Sequence, residues 1–221
     1  MQATTYKNLS VRDVWNEKRE PIIWFIRHGE SEANVGMATT HTQDVRLTEV
    51  GLKQAEEIAH AFTRAPGLII ASPYRRAQET SEPTRLRFPD TRYEIWPEVR
   101  EFTYLGSLHG VHSTRQDRHA RASAFWKMSD PTHKDGEGES FTQFLCRVRK
   151  AIERLQQQDE RFVVVFGHEQ FMRAASWLLH GWTAETSAGM GLFRQVLSSS
   201  PLPNGFILKA HNSSFPYPAL C

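Results

Sequence analysis

Apolar residues along this chain follow two rhythms. Short unbroken runs occupy residues 22–26, 68–71 and 162–166, lengths that suit strands buried inside a sheet. Residues 92–96 form a fourth such segment and residues 206–210 a weaker fifth. Between them the spacing changes to three and four. Phe141, Phe144, Leu145, Val148, Ile152 and Leu155 make one stripe, as the buried face of a helix requires. Ser140 with Gln143 three residues on is a capping box that marks where this helix begins. Residues 48–62 predict another helix with Leu52, Ala55, Ile58, Ala59 and Phe62 inward, and residues 72–86 a third, with Pro73 in its first turn.

Strands alternating with helices predict an α/β domain, a three-layer α/β/α sandwich with a mostly parallel sheet, because parallel neighbours need crossovers and helices fill them. Residues 102–139 break the alternation with clustered Gly, His, Arg and Asp. They read as an irregular or helical insertion over one edge, of the kind that forms a substrate lid. The expected organisation is an extension at 1–20, one domain at 21–211 and a tail at 212–221.

Composition narrows the function classes. With 221 residues and 39% apolar content the chain can bury one full core. Its 27 Lys and Arg against 25 Asp and Glu leave a formal net charge of +2, too even for a nucleic-acid or membrane surface. A local pocket can still be basic. Two cysteines, Cys146 in a helical pattern and Cys221 at the end, fit a reducing cytoplasm better than a disulfide scaffold. Residues 1–20 lack the apolar run of a secretory signal, and nowhere do 18 apolar residues run together.

The candidate chemistry sits where strands end. His28 follows residues 22–26 after one Arg, His168 follows residues 162–166 after one Gly, and residues 68–71 deliver Ser72, Arg75 and Arg76. In an open α/β sheet the carboxyl ends of the strands form the ligand crevice, so one crevice would hold two imidazoles and two guanidinium groups. Such a set suits a phosphate. Arg27 and Arg76 would grip its oxygens, His168 would add a donor, and Nε2 of His28 would attack phosphorus. Glu101, just beyond residues 92–96, is the best-placed carboxyl to protonate a leaving oxygen, and substrate charge nearby would keep it protonated.

Taken together, the motifs resemble the histidine phosphatase superfamily, also called the phosphoglycerate mutase-like family, from about Ile22 to Ala210. Arg27-His28-Gly29-Glu30-Ser31-Glu32-Ala33-Asn34 matches its RHGxSxxN segment. This resemblance makes His28 the phosphorylated nucleophile, with Arg27 and Asn34 on phosphate. Leu47-Thr48, Gly51 and Gln54-Ala55 resemble LTxxGxxQA, and Ser72-Pro73, Arg76-Ala77 and Thr80 resemble SPxxRAxxT, which assigns phosphate to Arg76 rather than Arg75. Arg100-Glu101-Phe102 resembles the LRE segment, implying Glu101 as proton donor, with Val99 in place of Leu and one extra residue before Gly106. Gly138-Glu139-Ser140 matches a GES element. Val163 to His168 resembles the second-histidine strand, but Glu169 replaces the usual Gly. A carboxylate there would raise the pKa of His168 or crowd the pocket.

The resemblance implies a phosphoric monoester hydrolase of the histidine acid phosphatase type, with no cofactor and no metal, acting on a small phosphorylated substrate or a phosphoprotein. Two alternatives stay open: a phosphoglycerate mutase-type phosphotransferase, and an inactive phospholigand binder. The mutases of the family carry a WRRxxDxPPP-like element after the proton donor, and between Glu101 and Glu139 only Trp126, Asp130 and Pro131 echo it. His109 and His112 lack a third metal ligand and read as loop residues. Arg115, Arg118 and Arg121, three apart, read as a solvated helix face.

Overall fold

The computed structural model describes residues 22–182 and 185–211. The expected extension and tail, with Cys221, lie outside the described residues. Five strands form one sheet: β1 Ile22–Arg27, β2 Leu68–Ala71, β3 Arg92–Ile95, β4 Phe162–Gly167 and β5 Ile207–His211, in the order β3-β2-β4-β1-β5. All neighbours run parallel except β5, which returns antiparallel to β1 at the edge. The described helices are α1 Glu49–His60, α2 Arg75–Arg87, α3 Arg115–Met128, α4 Phe141–Gln156, α5 Glu169–Leu179 and α6 Ser187–Ser199. None of them is long and apolar enough to cross a membrane.

Two-residue alternation divides the core between the sheet's faces. Ile23, Phe25, Leu68, Ile70, Val163 and Val165 pack on one side against α4 and α5. Ile26, Ile69, Ala71, Val164 and Phe166 pack on the other with Ile58 and Phe62. The capping box holds as expected: Gln143 N donates to Ser140 Oγ at 3.2 Å and Ser140 N to Gln143 Oε1 at 3.1 Å.

Three expectations shift. Leu52 is 50% exposed, because α1 turns Gly51, Ala55, Ile58 and Ala59 inward instead. The helix expected from residue 72 begins at Arg75, after Tyr74 as its N-cap, since Ser72 N still bonds Phe166 O of the sheet at 2.9 Å and the chain bends at Pro73 and Tyr74 before the helix. Strand β3 is not a buried run: it lies at the sheet edge with Arg92 and Ile95 exposed. Within residues 102–139, α3 starts at a Thr114–Asp117 capping box, so the insertion is part helix and part loop.

Candidate active site

Register sets the site. Arg27 lies opposite Gly167 and Ala71 opposite Phe166, so the residues that follow leave the sheet at one level. The next hydrogen bonds extend the ladder, His28 N to Gly167 O at 3.0 Å and Ser72 N to Phe166 O at 2.9 Å. The rings of His28 and His168 stand 5.3 Å apart between centroids, and both residues are buried.

Obligate donors and acceptors fix both tautomers. His28 Nδ1 is 2.7 Å from the Gly29 carbonyl, which can only accept, so the proton sits on Nδ1 and Nε2 carries a lone pair. Arg76 Nε donates to that Nε2 at 3.1 Å. Arg76 Nη2 donates to His168 Nδ1 at 3.2 Å, so His168 is protonated at Nε2, which donates to Ser72 Oγ at 2.8 Å. Burial and the Arg76 charge push both imidazoles well below their usual pKa. Burial also pulls the Arg76 guanidinium down to about 10, leaving it charged at neutral pH. Its third arm, Nη1, donates to the Thr42 carbonyl at 2.6 Å.

The motif positions find local reasons. A Cβ on Gly29 would lie 2.5 Å from the Gly51 carbonyl oxygen, and one on Gly51 would lie 2.0 Å from that of Glu30. These two glycines let the loop after β1 touch the start of α1. Thr80 Oγ1 accepts from Gly29 N at 3.0 Å while donating to Arg76 O at 2.6 Å, and Gln54 Oε1 accepts from Glu30 N at 2.7 Å. Asn34 Oδ1 accepts from Ser31 N, Ser31 Oγ and Asn204 Nδ2 at 3.0, 2.8 and 3.2 Å, which leaves its amide N–H groups for other partners.

Glu101 sits at the N-terminus of α5. Its Oε1 accepts from Phe102 N at 2.9 Å and its Oε2 from Gln170 N at 3.4 Å. Burial raises its pKa, against the pull of those amides and of Arg76 and Arg27. It lines a cavity of about 150 Å³ together with Arg76, Tyr74, Tyr104, Leu108 and Arg118. Behind it, Arg147 of α4 grips Glu139 through Nε and Nη2 at 2.7 and 2.6 Å. The same guanidinium donates to the Glu98, Arg100 and Glu101 carbonyls at 2.8, 2.8 and 3.3 Å. This explains the GES glutamate: it neutralises the cation that holds the Glu101 backbone.

Arg27, expected on phosphate, is engaged by neighbouring protein groups. Its Nη1 pairs with Glu169 Oε2 at 3.1 Å and also donates to the Leu202 carbonyl. Glu169 therefore does not raise the pKa of His168, whose shift is downward and set by burial and neighbouring cations. Of the three arginines of α3, Arg115 and Arg121 are exposed as expected, and Arg118 is half-buried. Arg121 bonds Asp135 at 2.6 Å, and Arg118 bonds Ser113 O at 2.7 Å and lines the cavity. His112 bonds Thr40 Oγ1 at 3.1 Å, while His109 packs 6.4 Å from the His41 ring. No group of three or more His, Cys, Asp or Glu among the described residues could hold a metal ion.

Three contributors escape the sequence reading: Ser72 as the partner of His168, Arg147, and Asn204. Asn204 Nδ2 donates to the His28 and Gly29 carbonyls at 3.1 and 3.3 Å. Ser72 carries a usable signal, since it opens a recognised motif, whereas residues 201–206 have no periodicity to read.

Known proteins resemble this chain in sequence and in fold. An adenosylcobalamin/alpha-ribazole phosphatase of Salmonella typhi is 32% identical over 138 residues, 60% of this chain and 66% of that protein, just under two thirds of its length. The protein of the same name from Escherichia coli (strain K12) is 30% identical over 174 residues, 74% of this chain and 81% of its own. A solved structure of mycobacterial glucosyl-3-phosphoglycerate phosphatase superposes with a TM-score of 0.67 at 25% identity, covering 86% of this chain and 90% of that one. The family model of the histidine phosphatase superfamily (branch 1) matches residues 23–200, the span that holds both histidines, Arg76 and Glu101, and the chain belongs to that superfamily.

Proposed function

We propose that this chain is a phosphomonoesterase that works through a phosphohistidine on His28, with Glu101 as general acid and then general base. One observation carries the reading. The Nδ1–H of His28 is committed to the Gly29 carbonyl at 2.7 Å, so a neutral imidazole presents its Nε2 lone pair beside Arg76 and His168 in a buried pocket. A neutral imidazole is a competent nucleophile, and burial with two cations nearby holds it neutral.

In the first step the Nε2 lone pair attacks phosphorus while the bond to the leaving oxygen breaks and that oxygen takes the Glu101 proton. In the second, water attacks phosphorus, Glu101 takes its proton, and the P–N bond returns its electrons to His28. Arg76 and Arg27 offset the charge on the phosphoryl oxygens, with Asn34 as a further donor. His168 accepts at Nδ1 in the resting pocket. It becomes a donor to phosphate on taking up a proton, which the two negative charges of the substrate favour. Neutral histidines and a raised carboxyl pKa suit turnover in mild acid, the acid phosphatase type.

Relatives named for alpha-ribazole and glucosyl-3-phosphoglycerate support a small phosphorylated metabolite as substrate. The cavity wall of Tyr74, Tyr104 and Leu108 with Arg118 fits a leaving group that is partly apolar and carries an anion. The cytoplasmic location and the single catalytic domain at 21–211 belong to the same proposal. Hydrolysis of p-nitrophenyl phosphate tests it: activity abolished in His28→Ala, and a trapped phosphoprotein that is labile in acid and stable in alkali, are expected. Equal inertness of wild type and His28→Ala would reject catalysis. Incubation with 3-phosphoglycerate and a bisphosphoglycerate primer should release phosphate rather than form 2-phosphoglycerate.

A further inference from the structure

We infer that Glu169 is a positioning residue for the substrate phosphate, fixing the Arg27 guanidinium and the 200–206 segment through one carboxylate. The inference rests on the phosphatase reading of the pocket and adds to it a residue that stands where the family usually has Gly.

Glu169 is the first residue of α5, directly after His168. Its Oε2 lies 3.1 Å from Arg27 Nη1, and its Oε1 accepts from Leu202 N at 2.8 Å. The Leu202 carbonyl in turn accepts from Arg27 Nη1. Arg27, Glu169 and the Leu202 backbone thus close a ring in which each member bonds the other two. The Arg27 and Glu169 side chains are 13% and 16% exposed, so solvent screens the ring weakly. With Nη1 committed, the rest of the guanidinium fork remains, and its Nε–H is buried without a protein partner. A buried donor without a partner is costly, and a phosphoryl oxygen is the acceptor that would satisfy it.

The ring also reaches the nucleophile. Two residues beyond Leu202, Asn204 donates to the His28 carbonyl and to the Gly29 carbonyl, the same oxygen that fixes the His28 tautomer. Gly205 N adds a bond to His28 O at 3.2 Å. Anchoring Leu202 therefore steadies the backbone on which His28 sits. All of this segment but residue 200 lies beyond the residues matched by the family model.

A competing physical effect has the opposite sign. A free carboxylate near a phosphate site repels a dianion, and its removal would tighten binding. Here the carboxylate is already paired with the cation that meets the phosphate. Its loss leaves that cation without its fixed partner, and the charge-assisted bond that orients it disappears. Positioning predicts weaker binding; repulsion predicts tighter binding.

The experiment measures vanadate affinity and p-nitrophenyl phosphate kinetics for wild type, Glu169→Ala, Glu169→Gln, Arg27→Ala and the double variant Glu169→Ala/Arg27→Ala. Glu169→Ala should raise the vanadate Kd and the KM about tenfold, the scale of one hydrogen bond to a charged group, with kcat within about threefold of wild type. Glu169→Gln keeps one acceptor oxygen, enough for Leu202 N or for Arg27 but not both, and should recover only part of the affinity. In the Arg27→Ala background the Glu169→Ala change should cost clearly less vanadate affinity than in wild type, the remainder running through Leu202; an effect through Arg173, whose Nε lies 3.8 Å from Glu169 Oε1, would be equal in both backgrounds. Unchanged or tighter vanadate binding in Glu169→Ala, or an equal loss in both backgrounds, overturns the inference. If Glu169→Ala fails to fold, Glu169→Gly carries the same comparison. A wild type that binds vanadate but hydrolyses nothing defeats the phosphatase reading while leaving the binding cycle to judge Glu169.

Discussion

Arg76 Nε and His28 Nε2 are hydrogen-bonded at 3.1 Å, so the guanidinium proposed to grip the phosphoryl group rests on the nitrogen proposed as nucleophile. The same guanidinium spans to His168 and to Thr42. Its planar fork thus fixes the spacing of the two rings, which a flexible ammonium with one charge centre would not do.

Arg76→Lys should therefore behave as a severe change despite keeping the charge. The expected loss in kcat/KM is about 10²–10³-fold, the scale of removing one preorganised donor at a developing charge. Steady-state kinetics with p-nitrophenyl phosphate measure it, and a variant within about threefold of wild type would contradict the role given to the fork.

Activity and stability should respond to pH through different groups. Both imidazoles titrate well below 6.5, so the acid limb of kcat/KM should not show a histidine of ordinary pKa. The alkaline limb should follow Glu101, whose pKa is raised by burial, and should flatten in Glu101→Gln. That variant should lose about 10²–10⁴-fold with an alkyl phosphate and far less with p-nitrophenyl phosphate, whose leaving group needs little protonation.

For stability, the unfolded chain takes up protons below about 6.5 that the buried imidazoles refuse, so these two residues make the fold less stable as pH falls through that region. Glu101 acts oppositely. Its raised pKa means the folded state keeps a proton that the unfolded chain has lost, and that contribution fades as pH rises through the folded value. Urea melts of wild type and His168→Asn across pH 4–7 should show a shallower decline toward acid in the variant, and parallel curves would speak against buried neutral histidine.

Breaking the Arg147–Glu139 pair should cost about 3 kcal/mol where Glu139 is removed, because Arg147 then keeps a buried charge without a carboxylate, and less where Arg147 is removed, because Glu139 still has Arg100 at 3.2 Å; the two side chains are 9% and 10% exposed. Arg147→Met should also lower turnover of poor leaving groups more than good ones, since Arg147 supports the Glu101 backbone. Denaturant midpoints and a leaving-group series report the two effects separately.

Gly29→Ala and Gly51→Ala should each destabilise by about 1–3 kcal/mol, the usual cost of forcing extra volume into a packed contact. The atoms in the way are backbone oxygens that cannot swing aside. Thermal unfolding checks the stability. A loss of activity larger in Gly29→Ala is expected, because that residue carries the carbonyl that fixes the His28 proton.

Much of the fold is legible in the sequence because buried parallel strands are short apolar runs with sharp ends. Those ends carry His28, Ser72 and His168, so their meeting follows once the sheet order brings β1, β4 and β2 together. The Ser140 capping box and the α4 stripe are equally local. Where the reading slips, the cause is tertiary. Leu52 has the right spacing to face inward, but Gly51 occupies the contact with the β1 loop and turns Leu52 outward. Arg147 lies beside an apolar stripe, and nothing in its local pattern marks it out before Glu139 and three carbonyls are seen around it. The partnership of Glu169 with Arg27 depends on neighbouring strand ends, and no pattern along either segment encodes it. Asn204 lies in a stretch without helix or strand period, so only its contacts reveal its part in the site.

The grip of Asn204 on the His28 carbonyl joins residues 176 positions apart, and strand β1 itself lies between β4 and β5, both made late in synthesis. A ribosome that has extruded His28 must therefore add nearly the whole remaining domain before that residue has its neighbours on either side. Contacts this distant in sequence form slowly. A nascent chain would lack this support until its closing strand emerges, and a premature stop before residue 204 would leave His28, Arg76 and His168 in the chain but no Asn204 beneath the first histidine.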